Sequence, residues 1–193
     1  MNLDRLLQQC EGTPKVPPVA QWDPPLAGDM PLVIKADGQW EHEGRAFKRP
    51  ALMQLLSSLL RQDPEGVCLV TPTERWRIDV EDCPFVIVEA QKRDGDWYLV
   101  TQYGDELRLD ADHPLSITPL PDGETAPQVP VRFGLCARLS RNVYYQLVEA
   151  ATSREQADGT LEIGIESAKQ WHVLGYIDSE DLTENHGSAS GAE

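Results

Sequence analysis

The clearest pattern of apolar and polar positions in this chain lies between residues 75 and 81. Trp76, Ile78 and Val80 are apolar, and charged residues precede, separate and follow them. Because successive side chains of a strand point to opposite sides, this alternation predicts a strand with one buried face and one charged face. The charged face carries two arginines and two carboxylates, which suits binding of a small charged molecule better than bond cleavage.

Turn and helix signals divide the rest of the chain into short elements. Asp37-Gly38 is flanked by the segments 32–35 and 39–42 and predicts a β-hairpin. A leucine stripe predicts a helix over 51–61 with Pro50 at its first position, and Ser140 is a predicted N-cap for a helix over 142–152. Further strands are predicted at 67–71, 85–90, 97–103, 106–110, 115–118, 161–166 and 171–177, with a Pro/Gly-rich loop up to Pro130.

The order of these elements suggests that the chain contains two related halves. Each half has strands, a glycine, a basic segment, one helix and further strands, so that Gly44 with the basic segment 45–49 is matched to Gly134 with Arg138 and Arg141. Sequence identity between the halves is slight, and both internal duplication and chance similarity remain open. Two sheets that each carry one helix predict an α+β fold.

Composition changes near both ends set the predicted boundaries. Residues 1–30 are predicted to form a short helix over 2–10 and a proline-rich arm whose Trp22 packs onto the body. A first α+β subdomain is predicted over 31–84 and a second over 85–178. The small, polar segment 179–193 shows no periodicity and is predicted to be disordered.

Charge and cysteine usage restrict the partners and the compartment. The 193 residues include 17 Lys and Arg against 32 Asp and Glu, a formal net charge of −15. Such a charge disfavours nucleic acids and anionic membranes as partners. The beginning of the chain lacks an apolar signal core, and the four cysteines are scattered without metal-ligand spacing. These features predict a cytoplasmic protein with buried or idle thiols and no metal site.

No catalytic motif is recognisable, and neither catalytic residues nor a cofactor are predicted. His113 lies in Asp110-Ala111-Asp112-His113-Pro114, which is open to two interpretations. A carboxylate next to a histidine can orient a general base, and the same pattern is common in turns where aspartates cap backbone amides. We interpret it as a turn and keep a hydrolase with His113 and Asp112 as a third functional hypothesis.

Arginine dominates the basic residues, with twelve of the seventeen. Its planar guanidinium can bind phosphate or carboxylate oxygens in pairs, and a helix N-terminus adds free backbone N–H groups. The hypothesis is that duplication brings these groups to one cleft; the alternative is that they pair with surface carboxylates. The predicted ligand-binding residues are Lys48, Arg49, Arg75, Arg77, Glu81, His113, Arg132, Arg138 and Arg141.

Several local motifs resemble a bacterial family, domain-of-unknown-function family 1285. They lie within residues 31–150, and those that carry the resemblance are Ile34-Lys35-Ala36-Asp37-Gly38, Trp40-Glu41-His42-Glu43-Gly44, Trp76-Arg77-Ile78, Val80-Glu81-Asp82-Cys83-Pro84-Phe85, Asp110-Ala111-Asp112-His113-Pro114-Leu115, Arg132-Phe133-Gly134-Leu135, Leu139-Ser140-Arg141 and Tyr144-Tyr145. The resemblance implies a duplicated α+β core, a second half like a pleckstrin-homology (PH) domain, and a nucleotide-like ligand between the halves in a signalling role.

Two functional hypotheses follow from the sequence. The first is a non-catalytic cytoplasmic module that binds a phosphorylated, nucleotide-like small molecule between the two halves with micromolar affinity. The alternative is a protein-interaction adaptor that uses sheet edges or the proline arm to contact a partner.

Overall fold

The computed structural model describes residues 16–47 and 49–177, and these residues form three sheets and two α-helices. The predicted helix at 2–10 and the polar tail at 179–193 lie outside the described residues. The elements are β1 (Leu26–Ile34), β2 (Trp40–His42), β3 (Arg45–Ala46), α1 (Pro50–Ser58), β4 (Leu60–Asp63), β5 (Gly66–Val70), β6 (Arg75–Val80), β7 (Phe85–Arg93), β8 (Asp96–Thr101), β9 (Glu106–Arg108), β10 (Ser116–Pro119), β11 (Thr125–Arg132), β12 (Leu135–Leu139), α2 (Arg141–Glu149), β13 (Thr152–Glu155), β14 (Leu161–Ser167) and β15 (Gln170–Ile177).

The two large sheets have the same topology. The first has the order β3-β2-β1-β6-β5-β4, and the second has the order β9-β8-β7-β12-β11-β10. In each sheet, two antiparallel three-stranded meanders meet through a parallel pair formed by the first and the sixth strand. Two sheet-rich halves with one repeated topology confirm the predicted duplication and the α+β class. The third sheet, β13-β14-β15, has no counterpart in the first half.

The helices do not occupy equivalent positions in the two halves. Helix α1 lies between the third and fourth strands of the first sheet, whereas α2 follows the sixth strand of the second. The predicted match of Gly44 with Gly134 is therefore wrong: Gly44 lies in the turn between the second and third strands of its sheet, and Gly134 lies in the turn between the fifth and sixth. Local composition suggested that match, but strand order decides equivalence.

The alternating segment forms a central strand of the first sheet, as predicted. Strand β6 lies between β1 and β5, with Ile78 buried and both Arg77 and Asp79 exposed. The predicted hairpin at Asp37-Gly38 is also present, because β1 and β2 pair in antiparallel fashion on either side of it. Burial of one face and hydration of the other explain why this local pattern was sufficient.

Helix α1 ends three residues earlier than predicted. Leu60 and Arg61 pair with Leu69 and Cys68 in the β4–β5 ladder instead of continuing the helix. Arg61 then binds Asp63 and donates to the carbonyl oxygens of Val19 and Trp22, both at 2.7 Å. Trp22 packs against the core, as predicted, and Arg61 fixes the segment that carries it. The first strand begins at Leu26, within the segment predicted as the arm.

Part of the segment predicted as a Pro/Gly-rich loop is a strand. In β11, Pro127 pairs with Ile117 and Pro130 pairs with Cys136. Proline weakens a central strand because it lacks the N–H of the ladder. The β11–β12 pairing is irregular between Pro130 and Arg132, so a bulge accommodates the second proline.

A buried arginine connects the two halves. Arg132 donates through Nη2 to the Ser57 carbonyl oxygen at the end of α1, and its Nη1 lies 2.6 Å from Asp105 Oδ1 in the second half. The guanidinium also lies over the Phe85 ring at 4.7 Å. A backbone hydrogen bond from Gln62 N–H to the carbonyl oxygen of the residue after Arg132 adds a second link.

Replacement of Arg132 should destabilise the whole chain. The side chains of Arg132 and Asp105 are only 12% and 15% exposed, so Arg132→Ala leaves a largely buried carboxylate without its cation. The Thr101 hydroxyl still donates to Asp105 at 3.0 Å, and the replacement should therefore cost about 3 kcal/mol, the lower end of the range for a broken buried ion pair. Arg108→Ala is the control, because that arginine is 47% exposed in its pair with Asp96 and should cost about 0–1 kcal/mol. Urea unfolding measures both variants. Equal midpoints for the two would contradict the role assigned to Arg132.

A buried histidine predicts a pH dependence of stability. His172 is 2% exposed, and its Nδ1 accepts the Leu115 backbone N–H at 3.5 Å. Burial lowers the pKa of His172, and this effect outweighs the opposite effects of the Ser167 carbonyl and of Asp110. The unfolded chain therefore binds a proton near pH 6.5 that the folded chain does not bind.

The wild-type protein should lose stability as pH falls from 7.5 towards 5, by up to about 1.4 kcal/mol per pH unit from this residue. His172→Asn keeps an acceptor near Leu115 but does not titrate, so its unfolding free energy should fall less steeply over the same range. Parallel denaturation curves at several pH values measure the difference. Identical slopes would show that His172 does not control this dependence.

Candidate functional site

A cavity of about 500 Å³ lies between the two halves. The first half contributes the β1–β2 turn, the start of β2, the approach to α1 and the first turns of α1, and the second half contributes the end of β8 and the turn after it. Its volume is within the range of about 300–1,000 Å³ that is usual for small-molecule sites. The lining residues are Gly38, Gln39, Trp40, Phe47, Pro50, Met53, Gln54, Gln102, Tyr103 and Gly104.

Three polar side chains converge at the wall of this cavity. Trp40 is 1% exposed, and across the described ranges neither its Nε1 nor Gln102 Nε2 has a hydrogen-bond partner of good geometry. Both donors nevertheless face the Tyr103 hydroxyl. Burial raises the pKa of Tyr103, and the two donors oppose that rise. The wall therefore holds two buried N–H groups whose contacts with the Tyr103 hydroxyl are poorly aligned.

The amide of Gln102 has a fixed orientation. Its Oε1 accepts the Val86 backbone N–H at 2.7 Å, and its own backbone N–H donates to the Val86 carbonyl oxygen at 3.0 Å. Because the oxygen is held by the backbone, the NH₂ group must point the other way. That direction is towards Gly38, where a Cβ would lie 3.3 Å from Gln102 Nε2.

The turn that carries Gly38 is held in place by Glu81. The Glu81 carboxylate accepts the Ala36 backbone N–H at 3.1 Å and forms an ion pair with Lys35. This pairing lowers the pKa of Glu81. The cation that Glu81 binds is therefore Lys35, and not Arg75 or Arg77 of its own strand segment. Glu81 contributes to the site indirectly, by fixing one wall of the cavity.

The start of α1 forms the opposite side of the cavity. Pro50 and Met53 line it, and the N-cap residue Arg49 makes no capping hydrogen bond with its side chain. Within the described residues Arg49 has no carboxylate partner, and its side chain is exposed. A helix N-terminus with an adjacent guanidinium favours negative charge. The neighbouring Lys48 lies outside the described residues.

The arginines of β6 already have carboxylate partners. Arg75 binds Asp63 at 2.7 Å, and Arg77 binds Asp29 at 2.7 and 2.9 Å. Burial alone would raise the pKa of Asp63, but hydrogen bonds from Arg61 and Arg75 outweigh it and hold that pKa below its usual value. These pairs stabilise the first sheet and do not line the cavity.

The arginines of the second half are also bound internally. Arg138 is 7% exposed and donates to both oxygens of Asp82, to Thr118 Oγ1 and to the Ala126 carbonyl oxygen. Arg132 is held between the halves, as described above. Arg138 therefore connects the segment between the halves to the second sheet, and none of its contacts reaches the cavity.

The remaining predicted residues lie elsewhere. Arg141 is exposed and lines a separate cavity of about 270 Å³ with Tyr144 and Tyr145. His113 lies in a turn in which Asp110 accepts its backbone N–H at 3.2 Å and approaches its ring at 3.4 Å. Among the predicted residues that the structure describes, only Arg49 adjoins the cavity between the halves, and the expected cluster of arginines in one cleft is not formed.

Sequence reasoning missed the residues that form the cavity wall. No motif marks Tyr103 or Gln102, and Trp40 and Asp37-Gly38 belong to motifs of the family resemblance that assign them no role in binding. In the described part of the chain, no group of three or more metal-ligating side chains occurs, and no helix is long and apolar enough to cross a membrane.

Comparisons with known proteins agree with the two-half architecture. The family description "Domain of unknown function (DUF1285), N-terminal domain" matches residues 17–83, and "Protein of unknown function (DUF1285), C-terminal domain" matches residues 84–174. No curated protein matches the chain.

Two crystal structures of family members are similar to this chain. A DUF1285 family protein from Silicibacter pomeroyi DSS-3 has 31% identity and a TM-score of 0.81, covering 94% of this chain and 98% of that one. A second, from Shewanella baltica OS155, has 24% identity and a TM-score of 0.51, covering 62% of this chain and 91% of that one. The second comparison concerns the fold alone.

A substitution at Gly38 tests the close approach of the two halves. Gly38 has φ +83°, and an added Cβ would lie 3.0 Å from Val86 Cγ2 as well as close to Gln102. Gly44 has φ +73° and nothing within 4 Å of an added Cβ, so Gly44→Ala carries only the backbone cost of about 1–2 kcal/mol. Gly38→Ala should lower the thermal unfolding midpoint further than Gly44→Ala. A smaller effect at Gly38 would contradict this packing.

Proposed function

Because the chain belongs to the DUF1285 family, whose two descriptions name no activity, we propose its function from the geometry. The protein is a non-catalytic module that binds a phosphorylated, nucleotide-like small molecule between its two halves, in a signalling role. The observation that carries this proposal is the cavity of about 500 Å³ with aromatic walls and two buried donors whose contacts with the Tyr103 hydroxyl are poorly aligned.

The aromatic walls favour a planar ring. Trp40, Phe47 and Tyr103 line the cavity, and aromatic contacts contribute about 0.5–1.5 kcal/mol beyond the burial of area. A buried donor without a well-aligned partner costs up to about 1–3 kcal/mol. A heterocycle with ring nitrogen or carbonyl acceptors would offer Trp40 Nε1 and Gln102 Nε2 a better-aligned acceptor than the Tyr103 hydroxyl. A purely apolar ligand would offer them none.

The phosphate of the proposed ligand would bind at the start of α1. Arg49 is exposed and unpaired within the described residues, and it lies between the lining residues Phe47 and Pro50. Hydrogen bonds to charged groups contribute about 1.5–3 kcal/mol each. One guanidinium and one helix terminus support micromolar affinity, about 8 kcal/mol.

We further propose that the second half has the PH-like form that the family resemblance implies. The support is a second and a third sheet with α2 packed against strands of both, namely β7 and β14. The adaptor hypothesis remains a separate prediction, because residues 1–15, which include the beginning of the proline arm, lie outside the described residues.

The base and the phosphate of a nucleotide should contribute independently to its affinity for the protein. Wild-type protein is titrated by calorimetry and thermal shift with nucleosides, nucleoside monophosphates, cyclic dinucleotides and inorganic phosphate. Trp40→Phe keeps the ring but removes the donor, and it should weaken nucleosides and nucleotides alike by about 3–10-fold. Arg49→Ala should remove the extra affinity that the phosphate confers and leave nucleoside binding unchanged.

The matched control is Arg141→Ala. Arg141 is also an exposed arginine at the start of a helix, but it lines the other cavity, so its replacement should change no affinity. If no compound in the panel raises the unfolding temperature, the proposal is wrong. Equal losses in Arg49→Ala and Arg141→Ala would indicate a general charge effect in place of a site.

A further inference from the structure

Two cysteines meet where the first half passes into the second. Cys83 lies in the four-residue segment between β6 and β7, and Cys136 lies on β12. Their Sγ atoms are 3.1 Å apart. Strand β12 runs parallel to β7 with Ala137 opposite Phe85, which places Cys136 beside Pro84, the residue after Cys83. The backbone register therefore brings the segment that carries Cys83 next to Cys136.

The two thiols differ in environment. Cys83 is 2% exposed, whereas Cys136 is half-buried and accessible. The hydrogen bond from Cys83 and the charge of Arg138 lower the pKa of Cys136 despite its burial. The same hydrogen bond and burial raise the pKa of Cys83. This asymmetry makes Cys136 the thiolate that reacts first and Cys83 the thiol that follows.

The buried salt bridge beside the pair fixes this arrangement. Arg138 and Asp82 flank the cysteines in sequence and bind each other through two hydrogen bonds. Asp82 Oδ1 also lies 3.9 Å from Cys83 Sγ, and Gln128 Oε1 lies 3.6 Å from it. The segment that carries Cys83 and the strand that carries Cys136 are thus held next to each other. A disulfide bond of about 2.05 Å requires the sulfurs to approach by only about 1 Å.

We propose that Cys83 and Cys136 form a reversible disulfide in exchange with low-molecular-weight disulfides of the glutathione class. The Cys136 thiolate attacks one sulfur of the glutathione disulfide, whose S–S bond breaks, and one glutathione leaves as a thiolate that takes up a proton. Cys83 then gives up its proton and attacks Cys136 Sγ, which releases the second glutathione. Two protein thiols are oxidised and one glutathione disulfide is reduced to two thiols.

Oxidation would link the segment between the halves to the second sheet. The bond would close a loop between positions 53 residues apart, which restricts the unfolded chain. The expected rise in the unfolding temperature is on the order of 10 °C. Cys68 is the internal comparison, because it is fully buried and burial raises its pKa to about 11.

The test incubates the native full-length protein in glutathione redox buffers, traps free thiols by alkylation and maps the peptides by mass spectrometry. A peptide pair linked through Cys83 and Cys136, reversed by dithiothreitol, is expected in the wild type and in Cys68→Ser. Cys83→Ser should stop at a glutathione adduct on Cys136, and Cys136→Ser should form neither product. Alkylation of Cys136 should also reach its half-maximal rate at a lower pH than that of Cys68.

The wild-type protein alone shows whether Cys83 and Cys136 become linked, so the result does not depend on whether the variants fold. Retention of both thiols under oxidising buffer, or glutathione on Cys136 without a link to Cys83, would overturn the proposal. Adducts spread equally over Cys136 and Cys68 would overturn it as well, because they would indicate general thiol oxidation in place of a selective pair.

Discussion

The Arg132 guanidinium lies between the two halves. It donates to the Ser57 carbonyl oxygen, pairs with the Asp105 carboxylate and lies over the Phe85 ring. A guanidinium removed from water is tolerated only when such partners surround it. Its contacts come from the end of α1 on one side and from the β8–β9 turn on the other, so they set the distance between the sheets. The cavity lies between the same elements, α1 and the residues that follow β8, and therefore depends on this contact.

The repeated topology explains why a cavity forms there. Both halves use a parallel pair of first and sixth strands as their centre, but only the first half inserts a helix between its third and fourth strands. Helix α1 and the β1–β2 turn face the turn after β8, and the cavity lies between them. One wall of the cavity is therefore an element that the second half lacks at the equivalent position.

The arrangement of charges is decided by the excess of carboxylates. With 32 acidic residues and 17 basic ones, most arginines of the two sheets find a carboxylate within reach, as Arg75, Arg77 and Arg138 do. These pairs are part of the fold. Arg49 differs because it lies at the start of a helix beside a cavity and lacks such a partner in the described residues. Position relative to an unfilled space, more than residue type, separates a candidate ligand residue from a structural one.

Local patterns in the sequence were enough to predict the elements that are stabilised by contacts between neighbouring residues. The alternation in β6, the turn at Asp37-Gly38 and the Ser140 cap, whose side chain accepts the Val143 N–H, are set by contacts within a few positions. The tertiary structure decided the end of α1, the proline-containing β11, the partner of each arginine and the cavity. Each of these depends on which distant segments pair, and pairing is fixed by burial summed over the whole chain, which no short window of sequence contains.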